Sequence, residues 1–256
     1  MNAAALTLSQ TRYVNKAYWR NPAMAFFAFV YPLMFLVIFT SIFRDSDVQF
    51  GARTVNEATY YVPAMVSLAV ISVCFNNIAV AITFQRDSGV LKRINGTPLP
   101  SASFFGGRIL HTVLVSALLV MVTAAFGRVF YSANIPTGAT LLRMLVMLAV
   151  GAAAFCALGF AISSIIPNAD ASQPIVNAVI LPLLFLSGVF IPLGNNPPSW
   201  MLWIGRIFPI RHFLSAMQAG FLGAAFNWTD VLVVAAWGLG GLLFAMRFFR
   251  WEPRTG

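Results

Sequence analysis

Long apolar runs, separated by short polar segments, make up most of the chain. A helix needs about 20 mostly apolar residues to cross a bilayer, and six runs come close to that length or exceed it. The pattern therefore predicts an all-α integral membrane protein in which 1–256 forms a single transmembrane domain. The six transmembrane helices are predicted at 23–43, 60–83, 105–127, 141–165, 174–193 and 229–246.

The composition supports this class of protein. Hydrophobic residues make up 59% of the chain and charged residues 9%, whereas soluble domains carry about 25% charged residues. So few charges would not cover a water-facing surface. The net charge of +9 does not indicate nucleic acid as a partner, because the basic residues are scattered between apolar runs.

The distribution of basic residues predicts the orientation, because cytoplasmic loops are enriched in Lys and Arg. Six spans place both termini on one side of the membrane. Ten basic residues fall on that side, namely Arg12, Lys16, Arg20, Arg86, Lys92, Arg93, Arg108, Arg247, Arg250 and Arg254. Six fall on the other, namely Arg44, Arg53, Arg128, Arg143, Arg206 and Arg211. Both termini are therefore expected in the cytoplasm.

The segment before the first span has the pattern of an amphipathic interfacial helix, predicted at 6–21. Arg12, Lys16 and Arg20 recur every four residues and so share one helix face. Val14, Ala17 and Tyr18 are expected on the opposite face, and Pro22 ends the helix. Such a helix serves either as a lipid-surface anchor or as a docking site, and the sequence leaves both open.

The stretch SGVFIPLGNNPPSWMLW, residues 187–203, interrupts the apolar pattern after the fifth span. The run that resumes at Trp200 is too short to span and stops at Pro209, and polar side chains follow it at intervals. We therefore expect 195–227 to form two short helices, a re-entrant hairpin in the outer membrane face between spans 5 and 6. It serves as a lid over a translocation path or as a structural plug.

The longest polar segment on the cytoplasmic side runs from Phe84 to Arg108. Residues 88–95 are expected to form a short helix that is capped by Gly96 and stopped by Pro98 and Pro100. A short helix held between two spans can transmit a push, although an ordinary charged loop has the same composition.

Several kinds of chemistry are not supported by the sequence. A phosphate-binding loop requires G-x-x-x-x-G-K-[ST], and neither Lys16 nor Lys92 is followed by Ser or Thr. Cys74 and Cys156 lie in apolar runs without metal-ligand spacing, and His111 and His212 are isolated from other catalytic residue types. We expect no catalytic residues, no metal site and no cofactor in this chain, and any ATP would be bound by a second polypeptide.

The acidic residues argue against an ion-coupled carrier, which usually places an ionisable group within the membrane. All seven are predicted in loops, at span edges or in the tail: Asp45, Asp47, Glu57, Asp87, Asp170, Asp230 and Glu252. The polar side chains within spans are instead Asn76, Asn77 and Asn177, with Ser72 and Ser116 as milder cases. Amides in lipid seek partners, so these asparagines either join helices or contact a substrate.

Four fragments in this order resemble the membrane subunit of ABC-2 type transporters, the exporter permeases that include antibiotic-resistance proteins. The first is Trp19–Pro22, followed by Tyr31-Pro32-Leu33 in the first span. The second is the loop FQRDSGVLKRINGTPL, and the third is LPLLFLSGVFIP at Leu181–Pro192. The last consists of Pro198-Ser199-Trp200 and Phe208-Pro209.

The resemblance implies a role for each group of residues. Contact with a separate ATPase is implied for Arg12, Lys16, Arg20, Arg86, Asp87, Gly89, Leu91, Lys92, Arg93 and Pro98. An outer gate is implied for Pro192, Pro198, Trp200, Arg206 and Pro209. The candidate substrate path consists of Asn76, Asn77, Asn177 and Ser187.

The resemblance also implies an assembly in the bacterial cytoplasmic membrane. Two ATP-binding cassette subunits would carry ATP and Mg, and a second permease chain, identical or paralogous, would pair with this one among the membrane lipids. The expected cargo is hydrophobic drugs, antibiotics or lipids; the alternatives are polysaccharide or lipid-linked glycan export, or a self-sufficient secondary carrier. The chain departs from the family's usual pattern in two places. Gln85 stands where the family often has an acidic residue, and Ser215 and Gln218 stand where it commonly has an acidic and a basic residue after the equivalent of Pro209.

Overall fold

The computed structural model describes residues 2–43, 48–50, 53–55, 57–192, 198–223 and 225–253. The helices are α1 (Ala3–Trp19), α2 (Pro22–Ile42), α3 (Glu57–Ile71), a π-helical segment (Ser72–Asn77), α4 (Ile78–Asp87), α5 (Val90–Asn95), α6 (Ser101–Tyr131), α7 (Gly138–Ser163), α8 (Ala169–Leu186), α9 (Ser199–Ile207), α10 (Pro209–Leu222) and α11 (Trp228–Phe248). Arg44 and Arg254, whose charges were used to predict the orientation, lie outside the described residues.

Within this part of the chain, six helices are long and apolar enough to cross a membrane, which confirms the predicted number of spans. They are Ala25–Ile42, Tyr60–Asp87, Ser101–Tyr131, Gly138–Ser163, Ala169–Leu186 and Trp228–Phe248. The second span joins α3, the π-helical segment and α4 into one continuous helix. It is the most deeply buried of the six, whereas α2, α8 and α11 lie at the periphery.

The helices extend further into the polar connection 84–108 than predicted. α4 continues to Asp87, and α6 begins at Ser101 rather than at 105. Pro100 directly precedes α6 in extended backbone, and its carbonyl accepts from the backbone N–H groups of Ser103 and Phe104, which starts the helix. The 31 residues of α6 correspond to about 46 Å, so α6 is longer than is needed to cross a hydrocarbon core of roughly 30 Å.

A short hairpin adds two strands to the all-helical prediction. β1 (Val48–Phe50) and β2 (Arg53–Val55) pair antiparallel between α2 and α3, with Gln49 opposite Thr54. No element was predicted between the first two spans, because three-residue strands are too short to give an alternating pattern.

Contacts between distant residues define two ends of the helix bundle. At one, which we call the α5 end, Trp251 packs against Phe104, and Arg86 reaches the residues after α7. At the other, which we call the α10 end, the hydroxyl of Tyr60 donates to the carbonyl of Gly188 over 2.7 Å. α1 also lies at the α5 end, because Ala3 contacts Ser103, so the first and the last described segments are at the same end of the bundle.

α1 packs lengthwise on the beginning of α6. The hydroxyl of Thr11 donates to the carbonyl of Gly107 over 3.2 Å, and the hydroxyl of Ser103 donates to the carbonyl of Ala3 over 3.3 Å. The buried face carries Thr11 and Tyr18, whereas Ala17, predicted on that face, is exposed. Small and hydroxylated side chains form the contact between α1 and α6. The pattern of hydrophobic residues along the sequence therefore did not predict it.

The segment predicted as an outer hairpin contains two short helices with different environments. α10 fills the space between α3, α7 and α11, and the ring of Phe213 meets Phe155 edge to face with centroids 5.3 Å apart. α9 leaves Trp200 and Trp203 exposed. The predicted break at 195–197 lies outside the described residues, and the depth of the hairpin in a membrane stays a prediction.

Candidate functional site

A cavity of about 510 Å³ lies between α2, the second span and α8. This volume suits a drug-sized molecule. Its wall is mostly apolar, and among the described residues that line it none carries a charge. They are Phe27, Ala28, Tyr31, Pro32, Leu68, Ala69, Ser72, Val73, Asn76, Asn77, Val80, Gln173, Asn177, Ile180, Leu181 and Leu184.

A carboxamide cluster joins the two sides of this cavity. Nε2 of Gln173 donates to Oδ1 of Asn177, 2.9 Å away on α8, and to Oδ1 of Asn76, 3.2 Å away on the π-helical segment. Asn77 lines the same cavity. The structure therefore brings three predicted path residues together and adds Gln173, whose spacing of one helical turn from Asn177 was the available signal.

The π-helical segment places both asparagines at the cavity. Such segments are rare and occur frequently at functional sites. Gly159 of α7 permits the close approach, because a Cβ at this position would lie 2.9 Å from the carbonyl oxygen of Phe75. On the α6 side, Sγ of Cys74 lies 3.2 Å from Oγ of Ser116. Contacts with α6 and α7 thus fix the segment from behind.

Ser187, the fourth residue of the predicted path, lies apart from this cluster. It follows the last residue of α8, its hydroxyl donates to the carbonyl of Leu183, and the side chain is buried. It is not among the residues that line the cavity.

The predicted ATPase-contact residues of α1 are on the surface. Arg12, Lys16 and Arg20 are all exposed, on the side of α1 that faces away from α6. On the opposite face of α1, the ring of Tyr18 contacts the buried ring of His111 on α6, with centroids 5.4 Å apart. One face of α1 is therefore fixed to the bundle, and the basic face is open to a partner or to lipid headgroups.

The short helix α5 is held by one buried side chain. Gly89, in left-handed conformation with φ of 71°, starts the turn into α5, and Leu91 is fully buried. Lys92, Arg93 and Pro98 are exposed. Nζ of Lys92 lies 3.3 Å from Oε1 of Glu252; an ion pair this exposed contributes little stability.

Arg86 and Asp87, predicted with the same group, make their main contacts inside the chain. The Arg86 side chain is 2% exposed, and its guanidinium donates to the backbone carbonyls of the last residue of α7 and of the turn that follows. The Asp87 carboxylate accepts from the backbone N–H of Ala169. Arg108, on α6, stacks on Phe104 and donates to Gln85. The predicted surface group is therefore divided between surface and interior.

At the α10 end, Pro209 is the first residue of α10, Pro192 is partly buried, and Pro198 and Arg206 are exposed. The polar contact that organises this end was missed. His212, predicted to be isolated, lies 2.6 Å from Asp230. Asp230 lies 18 residues after His212 and was assigned to a span edge. No sequence pattern indicates contact at this separation.

Comparison with known proteins identifies the family. A family model described as ABC-2 type transporter matches residues 6–222. The chain belongs to this family, as the sequence predicted. Several of its relatives are named as permeases.

Relatives of this ABC-2 transporter chain come from several organisms. A protein of Porphyra purpurea named as transport permease ycf38 is 25% identical over 90% of the chain and 79% of its own length. The daunorubicin resistance ABC transporter permease protein DrrB1 of Streptomyces coeruleorubidus is 25% identical over 91% and 80%. The multidrug ABC transporter permease YbhR of Escherichia coli is 22% identical over 64% and 44%.

Proposed function

We propose that this chain is the permease subunit of an ATP-driven exporter that moves hydrophobic drugs, antibiotics or lipids outward across a cytoplasmic membrane. The uncharged cavity between α2, the second span and α8 carries the proposal. Its aromatic and aliphatic wall suits an apolar body, and the cluster of Gln173, Asn76 and Asn177 offers hydrogen bonds to a neutral polar group. A site of this kind selects amphipathic cargo rather than ions.

Membership of the family supports a partner that hydrolyses ATP, because ABC-2 permeases work with ATP-binding cassette subunits. We place that partner at the α5 end, where α1 exposes Arg12 and Lys16 and α5 exposes Lys92 and Arg93. ATP and Mg are held by two copies of the partner. The same basic residues favour the cytoplasm for this end and for both termini.

The opposite end then faces outward. On α9, Trp200 and Trp203 are 57% and 64% exposed, three residues apart and so on one side of the helix. Exposed tryptophans are favoured at the level of lipid headgroups. We therefore propose that α9 lies in the outer interface and that α9 and α10 together form the re-entrant outer gate.

A second permease chain is proposed to cover the side on which the cavity opens. α2 and α8 flank the cavity, and both expose large apolar side chains, among them Phe26, Met34, Val179 and Phe185. Pairing of two chains through α2 and α8 would enclose the cavity between them and give the cargo a path at the interface. The partner is an identical or a paralogous chain.

The test is reconstitution of the chain with its ATPase subunit in proteoliposomes. We expect uptake of an uncharged, fluorescent amphipathic compound into inside-out vesicles with ATP, and none with ADP or with a hydrolysis-deficient ATPase. Flux from this chain alone, driven by an ion gradient, would establish a secondary carrier instead. Transport restricted to glycan-linked lipids would support the alternative cargo.

A further inference from the structure

The side chain of Arg86, near the end of α4, is hydrogen-bonded to the turn that joins α7 to α8. Its Nη1 donates to the carbonyl of Ser163 over 2.8 Å, and its Nη2 donates to the carbonyl of Ile166 over 2.7 Å and to that of Pro167 over 3.3 Å. The last carbonyls of a helix lack partners within it, and they form the negative end of the helix dipole. A guanidinium therefore matches this end of α7 in both charge and geometry.

Asp87, the next residue, is hydrogen-bonded to the other side of the same turn. Its Oδ2 accepts from the backbone N–H of Ala169, the first residue of α8, where unpaired N–H groups form the positive end of the helix dipole. Its Oδ1 lies 3.5 Å from Nε of Arg86. Two adjacent side chains of opposite charge thus hold the end of α7 and the beginning of α8. We call these two side chains the α4 clasp.

The position of the α4 clasp links two parts of the proposed transport cycle. On one side, two residues, Ser88 and Gly89, separate it from α5. On the other, α8 starts at Ala169 and carries Gln173 and Asn177 into the cavity within its first nine residues. The α4 clasp therefore lies on a direct structural route from α5 to the wall of the cavity.

We propose that Arg86 and Asp87 are positioning residues that transmit the movement of α5 to α8, rather than residues that contact the ATPase. The inference rests on the proposed function. A charged group is costly to bury unless it is paired and hydrogen-bonded, whereas packing of α4 against α7 alone does not require a charge. What the charged pair adds is directional hydrogen bonds to both ends of the turn, so that α4 and α8 move as one body.

A pair of substitutions at Asp87 separates the two roles. Asn keeps an oxygen that accepts from the N–H of Ala169 but loses the charge, whereas Ala loses both. In the reconstituted complex we expect D87N to keep the ratio of cargo transported to ATP hydrolysed within about twofold of the unmodified chain. D87A should lower this ratio at least about tenfold, equivalent to a change of about 1.4 kcal/mol, while the ATPase still co-purifies and hydrolyses ATP.

The outcomes of this comparison are distinct. Equal loss in D87N and D87A would show that the carboxylate charge, rather than the hydrogen bond to Ala169, is what coupling requires, and would overturn the proposal that directional hydrogen bonds transmit the movement. An unchanged ratio in D87A would overturn it as well. Absence of ATP-dependent transport by the unmodified complex would contradict the proposed function itself, independently of either variant.

A distance measurement tests the mechanical claim without relying on transport. Asn95, at the end of α5, and Asp170, at the start of α8, are both exposed, so N95C and D170C provide sites for spin labels. In the complex, the distance between the labels should be the same in the ADP state and in the ATP-bound state. In the D87A background the two distributions should separate, and in the D87N background they should coincide. A nucleotide-dependent change in the otherwise unmodified pair would contradict the proposal.

Discussion

The imidazole of His212 donates to the carboxylate of Asp230 at the α10 end, with Nδ1 and Oδ1 2.6 Å apart. Its other nitrogen, Nε2, lies 2.9 Å from the carbonyl oxygen of Arg206. A neutral imidazole has one N–H, so only the protonated ring donates to both acceptors. The protonated side chain therefore joins α9, α10 and α11.

This geometry predicts that the stability of the α10 end depends on pH. The hydrogen bond to Asp230 raises the pKa of His212 above 6.5, against burial and the nearby charge of Arg211, both of which lower it. Because the folded-state pKa is the higher one, the stabilisation is complete below pH 6.5 and is lost as the pH rises through the folded-state value. The apparent melting temperature of the purified protein should therefore fall from pH 6 to pH 9.

The control for this prediction is H212Q, which cannot titrate. Its melting temperature should lie below that of the unmodified protein at pH 6, by the equivalent of about 1–3 kcal/mol for a charge-assisted hydrogen bond, and should not show this fall toward pH 9. A parallel decline in both proteins would show that other groups cause the pH dependence.

A second prediction concerns the close approach of α7 to the π-helical segment. In G159A the new methyl group would meet the carbonyls of Phe75 and Cys74 at 2.9 and 3.1 Å. These atoms belong to the backbone, so relief requires a shift of the segment. We expect a loss of about 1–3 kcal/mol in unfolding free energy, measured as a lower midpoint of thermal unfolding in detergent.

The matched substitution is G240A on α11, where a Cβ meets nothing within 4 Å. This change should be neutral or stabilising by up to about 1 kcal/mol, because Ala favours the helix more than Gly does. Equal effects of the two substitutions would mean that helix propensity, rather than the contact with the π-helical segment, sets the result.

The sequence predicted the spans but not the polar contacts between them. Apolar runs give the six helices directly, because the bilayer fixes their length. Arg86 was assigned to the contact with an ATPase because the loop that contains it resembles the family's cytoplasmic loop. Its actual acceptors are backbone carbonyls at Ser163 and Ile166, about 80 residues away, and backbone groups have no signature in a residue pattern. The partner of His212 is a side chain, the carboxylate of Asp230, but it lies 18 residues away, and no residue pattern indicates contact at that separation.

The third prediction concerns the docking of α1 on α6. A Cβ at Gly107 would lie 2.5 Å from Cβ of Gln10 and 3.1 Å from the backbone nitrogen of Thr11. Overpacking of about 1–3 kcal/mol in G107V should raise the undocked population of α1 about fivefold or more. Trypsin should then cleave after Arg12 and Lys16 faster, because cleavage follows the open population when opening is rapid.

The neighbouring glycine supplies the control for α1. In G106A the new Cβ would approach only the side chain of Thr7, with the nearest atom at 3.3 Å, so tryptic cleavage should remain near that of the unmodified chain. If G107V were cleaved no faster than G106A, the contact between α1 and α6 would not be what protects α1.

The last prediction concerns recognition in the cavity. Asn177 accepts from Gln173 and lines the wall with both apolar and polar neighbours. N177A should raise the apparent KM for an amphipathic cargo about three- to tenfold, the range expected for losing one hydrogen bond, while ATP hydrolysis without cargo stays unchanged.

Asn134 is exposed in the connection between α6 and α7, so N134A makes the same substitution away from the cavity and should leave KM unaltered. An equal rise in KM for both variants would argue against the cavity as the cargo site. A fall in maximal rate with constant KM would assign Asn177 to the fit between helices rather than to binding.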